Sequence, residues 1–332
     1  MTYANTLKTA NHAPALSTKS AATNSHRAAG FKSIFIGPNG LRAGWRMLIY
    51  SLLVISLLAA FTIIRNGGFE GFRQARAHAD QVTITPLLMG WSTGMAFILV
   101  CIATFVMSRL ERRKFSQYGL SARQALGKDF WTGCLWGFLT ISGTLLAMFL
   151  LHGFRVTGLA LQGTAILSAL VAWAIACIFA GLFEEFFLRG YAQYTLASGI
   201  GFWPAAVVFS FAFGFLHSFN SHETLAGAIG AGLFGIPLCM LVRRTGTVWA
   251  AVGFHAAYDW GQTFFYGVPD SGIIPYHSLF HSAVSGPQWL SGGIVGPEAS
   301  IFTPIALAVV TVLFGWLHRE NRYQELKPGS GR

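Results

Sequence analysis

The sequence predicts an all-α polytopic membrane bundle of about eight transmembrane helices, with both termini cytoplasmic. Three observations carry that prediction. Of the 332 residues, 53% are hydrophobic and only 11% are charged, whereas soluble domains carry about 25% charged residues. Eight apolar runs are long enough, or nearly so, to cross ~30 Å of hydrocarbon. The Lys and Arg residues are also distributed asymmetrically about those runs, 19 on the side of the termini and 4 on the other. Cationic loops resist translocation, so the richer side is cytoplasmic.

Taken in order, residues 1–43 are rich in Ala, Ser, Thr and Asn, carry Lys8, Lys19, Arg27, Lys32 and Arg42, and contain no acidic residue. A segment of that composition buries too little apolar surface to offset its ordering entropy, so it reads as a disordered basic cytoplasmic tail. The membrane domain follows over 44–320, with spans at 45–64, 86–108, 131–151, 164–183, 202–219, 224–242, 247–266 and 301–318. Residues 184–201 continue the fourth span, 267–300 form a Gly-, Pro- and Ser-rich outer loop, and 321–332 form a second cytoplasmic tail. The expected location is a bacterial plasma membrane, with the lipid bilayer as the first partner.

The net charge of +11 serves topology. The basic residues sit between apolar runs and are not interleaved with aromatics on a polar face, so no nucleic acid is expected as a partner. Cys101, Cys134, Cys177 and Cys239 fall in separate apolar runs without a C-x-x-C spacing and read as packing residues. Asn220, His222 and Glu223 lie at a turn where they would cap the sixth span.

An ionisable side chain within a span costs about 2.5–3.5 kcal/mol on insertion scales and needs a partner or a task. Glu184, Glu185, Arg189, His217, His255 and Asp259 are such groups. Glu185 and Arg189 are four apart and share a helical face, which makes them an intrahelical ion pair. Glu184 points about 100° away and is the freer base. His255 shares a face with Asp259, and Phe213 with His217. A carboxylate and two imidazoles offer a base, a proton shuttle and hydrogen-bond donors, a set suited to activating water. The bland alternatives are a core histidine at His217 bonded to a backbone carbonyl and a helix-packing hydrogen bond at His255 and Asp259. The depths of these groups conflict: at 1.5 Å per residue Glu184 lies about 30 Å from Thr164, near the inner surface, while His255 and His217 lie about 12 and 20 Å from the inner ends of their spans. A fourth helix that is longer and shifted outward would bring them together.

Glu184-Glu185-x-x-x-Arg189, Phe213-x-x-x-His217 and His255-x-x-x-Asp259, in that order on successive apolar helices, resemble the type II CAAX prenyl endopeptidases, the CPBP or Abi family of intramembrane proteases. The resemblance covers about residues 130–266. It implies an intramembrane endopeptidase acting on a membrane-anchored or prenylated polypeptide. Glu184 then matches the catalytic glutamate and His217 the histidine that helps it activate water, while His255 and Asp259 match a pair assigned to oxyanion stabilisation or to a metal. Glu185, Arg189 and Phe213 are supporting residues. The preferred reading requires no cofactor and has a pocket opening toward the cytoplasmic half. The alternative places a divalent metal such as zinc on Glu184, His217, His255 and Asp259. A proton-coupled transporter and a non-catalytic immunity-type membrane protein are the rival functions.

Overall fold

The computed structural model describes residues 33–37, 40–77, 84–220 and 222–326. The tail expected over 1–43 lies largely outside these residues, as do 327–332. Two compact units divide at Arg42 and Ala43. In the first, β1 (Ile36–Gly37) pairs antiparallel with β2 (Gly40–Leu41), and Arg42 Nε donates to the Ser33 carbonyl at 2.6 Å.

The second unit is helical: α1 (Ala43–Arg65), α2 (Phe69–Ala77), α3 (Pro86–Leu110), α4 (Lys128–Leu150), α5 (Thr164–Glu185), α6 (Gln193–Ile200), α7 (Phe202–His217), α8 (Leu225–Thr245), α9 (Trp249–Trp260), α10 (Gln288–Ser291) and α11 (Phe302–Leu317). Each of the eight apolar runs is helical. Among the described residues five helices are long and apolar enough to cross a membrane: α1, α3, α4, the continuous stretch Thr164–Ile200 and α8. The helices α7 and α11 are apolar but shorter. The outward faces of α3, α7 and α11 carry Leu87, Phe211 and Val312 respectively, each at least 70% exposed. Lipid rather than water is the solvent in which such faces are stable.

The helix ends follow from local chemistry. Thr85 accepts a hydrogen bond from Leu88 N at 3.2 Å, with Pro86 opening α3. Gly246, at φ 73°, ends α8 in the left-handed conformation that a Cβ disfavours. The cap of α8 departs from the sequence expectation. Thr224 receives Gly227 N at 3.2 Å, and Glu223 Oε1 in turn accepts Thr224 N at 2.8 Å. The hydroxyl one residue nearer the helix is better placed for its first orphan N–H groups.

The helix that will carry His255 is set by close backbone approach to α4. A Cβ at Gly253 would stand 2.0 Å from the Phe130 carbonyl oxygen, and one at Gly137 would stand 2.0 Å from that of Phe254. With Gly133 four residues before Gly137, α4 shows the small-xxx-small spacing that lets membrane helices pack without a hydrophobic driving force. Gly253→Ala is therefore expected to lower stability by about 1–3 kcal/mol, because a backbone carbonyl cannot step aside. Gly143→Ala, on the same α4 but with no atom within 4 Å of the added Cβ, is expected to cost nothing. Thermal unfolding of the two variants in detergent checks the contrast.

Two loops that the all-α prediction left irregular pair as strands. β3 (Phe154–Leu159) runs antiparallel to β4 (Phe280–Val284), with Phe154 opposite Val284 and Leu159 opposite Phe280. Both follow helices ending at the same end of the bundle, and backbone groups there gain by pairing. The opposite end is tied by Glu111, which accepts Arg46 Nη1 at 2.9 Å, Tyr118 hydroxyl at 3.2 Å and the Tyr191 hydroxyl.

Candidate functional site

The fourth apolar run does not stop at Glu185. It continues through a π-helical segment, Phe186–Ala192, into α6. Glu184 thus sits in the middle of a 37-residue helix, about 24 Å from its far end at Ile200. This longer helix removes the conflict of depths. Gly190, with ψ −123°, breaks the helical backbone inside the widened turn, and such insertions recur at functional sites.

Arg189 leaves this segment fully buried. Its Nη1 lies 3.3 Å from Glu185 Oε1, the ion pair expected from the four-residue spacing, and its guanidinium carbon stands 4.7 Å above the Phe213 ring. Room for it comes from α8, where a Cβ at Gly235 would fall 2.7 Å from Arg189 Nη2. Sequence spacing did not disclose the second bond of Glu185: its Oε1 also accepts from His255 Nδ1 at 2.7 Å. Arg189, Glu185 and His255 form one chain of contacts crossing from the π segment to α9.

The other imidazole nitrogen, His255 Nε2, faces two carboxylates, Asp259 Oδ2 at 3.4 Å and Glu184 Oε2 at 3.8 Å. The hydrogen bond to Glu185 therefore orients His255, and Asp259 lies on the opposite nitrogen instead of being its sole partner. Edge-on rings of Phe213 and Phe234, 6.0 and 5.3 Å away, enclose the imidazole. Glu184 is the least constrained carboxylate: its side chain is 28% exposed, and its Oε2 is buried without a hydrogen-bond partner.

His217, the last residue of α7, bonds through Nδ1 to the Phe213 carbonyl oxygen at 2.9 Å and packs 4.3 Å from the Phe213 ring. With the proton on Nδ1 donated to that carbonyl, neutral His217 keeps Nε2 as an acceptor. A backbone-bonded histidine and a histidine facing a cavity are thus the same residue.

Glu184, His217, His255 and Asp259 all line one cavity of about 770 Å³. Its wall also includes Leu88 and Thr93 of α3, Asn220, Tyr258 and the loop residues Asp270–Tyr276. These belong to the end of the bundle that the charge count places outside. The expectation of a cavity opening toward the cytoplasmic half therefore disagrees with the orientation that the same sequence predicts. The reason is that Glu184 lies at mid-helix and His217 near the outer end of α7.

Sequence reasoning passed over Tyr258, Asp270 and Glu298 as members of this wall. A tyrosine next to Asp259 gave a weak signal. Asp270 gave none, and Glu298 stood out only within the Gly296-Pro297-Glu298 run of the outer loop, because what brings both to the cavity is the folding of 267–300 back onto α8, where a Cβ at Gly230 would meet the Glu298 carbonyl at 2.3 Å.

Among the described residues no three His, Cys, Asp or Glu side chains are arranged to hold a metal ion. Both nitrogens of His255 face carboxylates, and His217 Nδ1 is bonded to the Phe213 carbonyl. The bonds at Nδ1 of both imidazoles leave their Nε2 atoms as the ring nitrogens available beside Glu184 and Asp259 on the cavity wall, and histidines that ligate a metal are commonly oriented through their other nitrogen in the same way.

Residues 166–261 match the model of the Rce1-like type II CAAX prenyl endopeptidases. The matched stretch runs from the start of α5 to the end of α9 and holds every residue from Glu184 to Asp259 discussed above. No curated protein matches the chain. The match and the apolar helices together indicate an integral membrane protein.

Proposed function

We propose that this chain is an intramembrane endopeptidase that opens a peptide bond of a membrane-anchored or prenylated polypeptide with a water activated by Glu184. The observation that carries the reading is the Glu184 carboxylate oxygen, buried without a hydrogen-bond partner on the wall of a 770 Å³ cavity and 3.8 Å from His255 Nε2. The match of residues 166–261 to a peptidase family supports it.

In this mechanism a water hydrogen-bonds to the Glu184 carboxylate, whose side chain is 28% exposed, and to His217 Nε2. Glu184 takes its proton as the water oxygen attacks the carbonyl carbon. His255 carries the positive charge that meets the oxyanion, held in place by Glu185 on Nδ1. Collapse of the tetrahedral intermediate breaks the C–N bond, and the proton on Glu184 passes to the departing amine. Asp259 and Glu185 flank His255 so that the imidazolium is paired, and Arg189 balances Glu185. No metal is required. The membrane is a bacterial plasma membrane crossed eight times, with both termini in the cytoplasm.

The direct test incubates purified protein in detergent with quenched, lipid-anchored peptides in water enriched in oxygen-18. One heavy oxygen in the new carboxylate, and its loss from the product pool in Glu184→Gln, is the expected result. Peptide flux into vesicles without any cleavage would sink the reading.

Asp259 separates side-chain chemistry from metal chemistry. Asp259→Asn is expected to keep activity within about tenfold, because Glu185 still orients His255, and chelators are expected to leave the rate unchanged. Activity lost on chelation and restored by zinc would overturn the metal-independent mechanism.

Orientation has its own test. Reporter fusions after Arg113 and Arg244 are expected in the cytoplasm, and fusions near Gly68 and Ser285 outside. An external signal at Arg113 would invert the bundle and turn the cavity toward the cytoplasm.

A further inference from the structure

The loop 267–300 gives the cavity a second chemical character. Asp270 is only 9% exposed. Its backbone is held by a reciprocal pair of hydrogen bonds with Ile273, at 2.9 and 2.8 Å, but its carboxylate has no hydrogen-bond partner among the described residues. Glu298 lies beside it. Ser271 donates both its backbone N, at 3.1 Å, and its hydroxyl, at 2.6 Å, to the same Glu298 oxygen, Oε2. Both bonds fall on Oε2, and Glu298 lines the cavity. Tyr258 is fully buried and lines the same cavity, and among the described residues its hydroxyl makes no hydrogen bond of normal geometry.

The charge balance here is opposite to that of the chain. In a protein with 23 Lys and Arg against 12 Asp and Glu, the cavity wall gathers Glu184, Asp259, Asp270 and Glu298 with no Lys or Arg among its described residues. The Arg189 guanidinium is spent on Glu185, and the basic groups of the wall are the imidazoles of His217, His222 and His255, of which His255 is already flanked by Glu184, Glu185 and Asp259. Burial, and then the charges of Asp259 and Glu298, push the Asp270 carboxyl well above the usual carboxylate range. Burial likewise pushes Glu298 up, against the opposing hydrogen bonds from Ser271. Buried carboxyls without a fixed counter-charge are stabilised by a cation that arrives from outside. An ammonium or guanidinium group offers several N–H donors to Asp270, Glu298 and Tyr258.

We infer that Asp270, Glu298 and the Tyr258 hydroxyl form a subsite for a lysine or arginine side chain of the polypeptide substrate. The inference deepens the endopeptidase reading and rests on it for the identity of the substrate. The apolar neighbours Ile273, Ile274 and Pro275 would receive the aliphatic stem of such a side chain.

The test uses myristoylated quenched peptides in detergent micelles, with Lys, Arg, norleucine or Glu placed at each position in turn. At one position Lys and Arg are expected to exceed norleucine in kcat/KM by about tenfold, the scale of a charge-assisted hydrogen bond in a dry site. Asp270→Asn and Glu298→Gln, both near-isosteric, are each expected to bring that ratio to within about twofold of one. Glu70→Gln, at an exposed ion pair on α2, is expected to keep it. Calorimetry of the Lys and norleucine peptides on Glu184→Gln protein reads the same ratio without turnover. Peptides cleaved without a basic preference, or a preference that survives both variants, would overturn the subsite and leave the endopeptidase standing. A binding preference that both variants abolish, with no peptide cleaved by the native protein, would uphold the subsite and remove the endopeptidase. Calcium binding dependent on Asp270, with no selectivity among peptides, would show a metal site instead and overturn the inference.

Discussion

Glu184→Gln is expected to yield folded protein whose peptide hydrolysis falls by about 10²–10⁴-fold, the usual contribution of a positioned general base. The amide fills the same volume beside His255 and asks no partner to move. Stability should be preserved because Glu184 is the carboxylate the structure leaves unbonded: its Oε2 has no hydrogen-bond partner, and His255 Nε2 is 3.8 Å away. KM should change little if Glu184 acts on water alone. The measurement is kcat and KM on one anchored peptide, beside the thermal midpoint of the same sample. A folded Glu184→Gln protein cleaving within a few-fold of the native rate would assign the base elsewhere, with Glu185 the first candidate.

The second large effect is structural. Arg189→Met removes the only guanidinium among the described residues that faces Glu185 and leaves a fully buried carboxylate with His255 as its remaining partner. Breaking one side of a buried ion pair costs about 3–5 kcal/mol. That is enough to prevent folding in a marginally stable domain, and loss of the monodisperse peak in detergent is the expected observation. The double variant Glu185→Gln, Arg189→Met should recover much of that loss, because neither charge is then stranded. Recovery of stability without recovery of activity would place Glu185 as the group that orients His255. An Arg189→Met protein that unfolds at the native temperature would show that the pair contributes little.

The two variants also separate what spacing discloses from what it hides. The pairing of Glu185 with Arg189 is an i,i+4 relation on one helix, and any sequence with that spacing and the right charges presents it. That Glu185 receives His255 as well is a relation between helices 70 residues apart. It exists because α9, held against α4 through Gly133, Gly137 and Gly253, also lies close against α5, where a Cβ at Gly181 would stand 3.0 Å from the Val252 carbonyl oxygen and 3.5 Å from the His255 Cβ. No periodicity within either helix encodes that distance. The conflict of depths resolves through the longer fourth helix that the sequence already admitted: Arg189 is neutralised locally by Glu185, and the helix runs on through it to Ile200.

The sequence by itself determined the helical class, the positions of the apolar runs and the identity of the ionisable groups within them. Composition, length against hydrocarbon thickness and the cost of burying charge are all local or summed quantities, so they are legible along one dimension. The tertiary structure alone decided which of those groups touch. It set the two carboxylates on one imidazole nitrogen and the third on the other. It also folded the 267–300 loop back so that Asp270 and Glu298 face the cavity of Glu184, and paired β3 with β4 across residues far apart in the chain. These depend on how closely helices approach and on where backbone groups at the bundle end find partners. Close approach is set by single glycines acting in pairs from different helices, and a pair has no signature until the chain is folded.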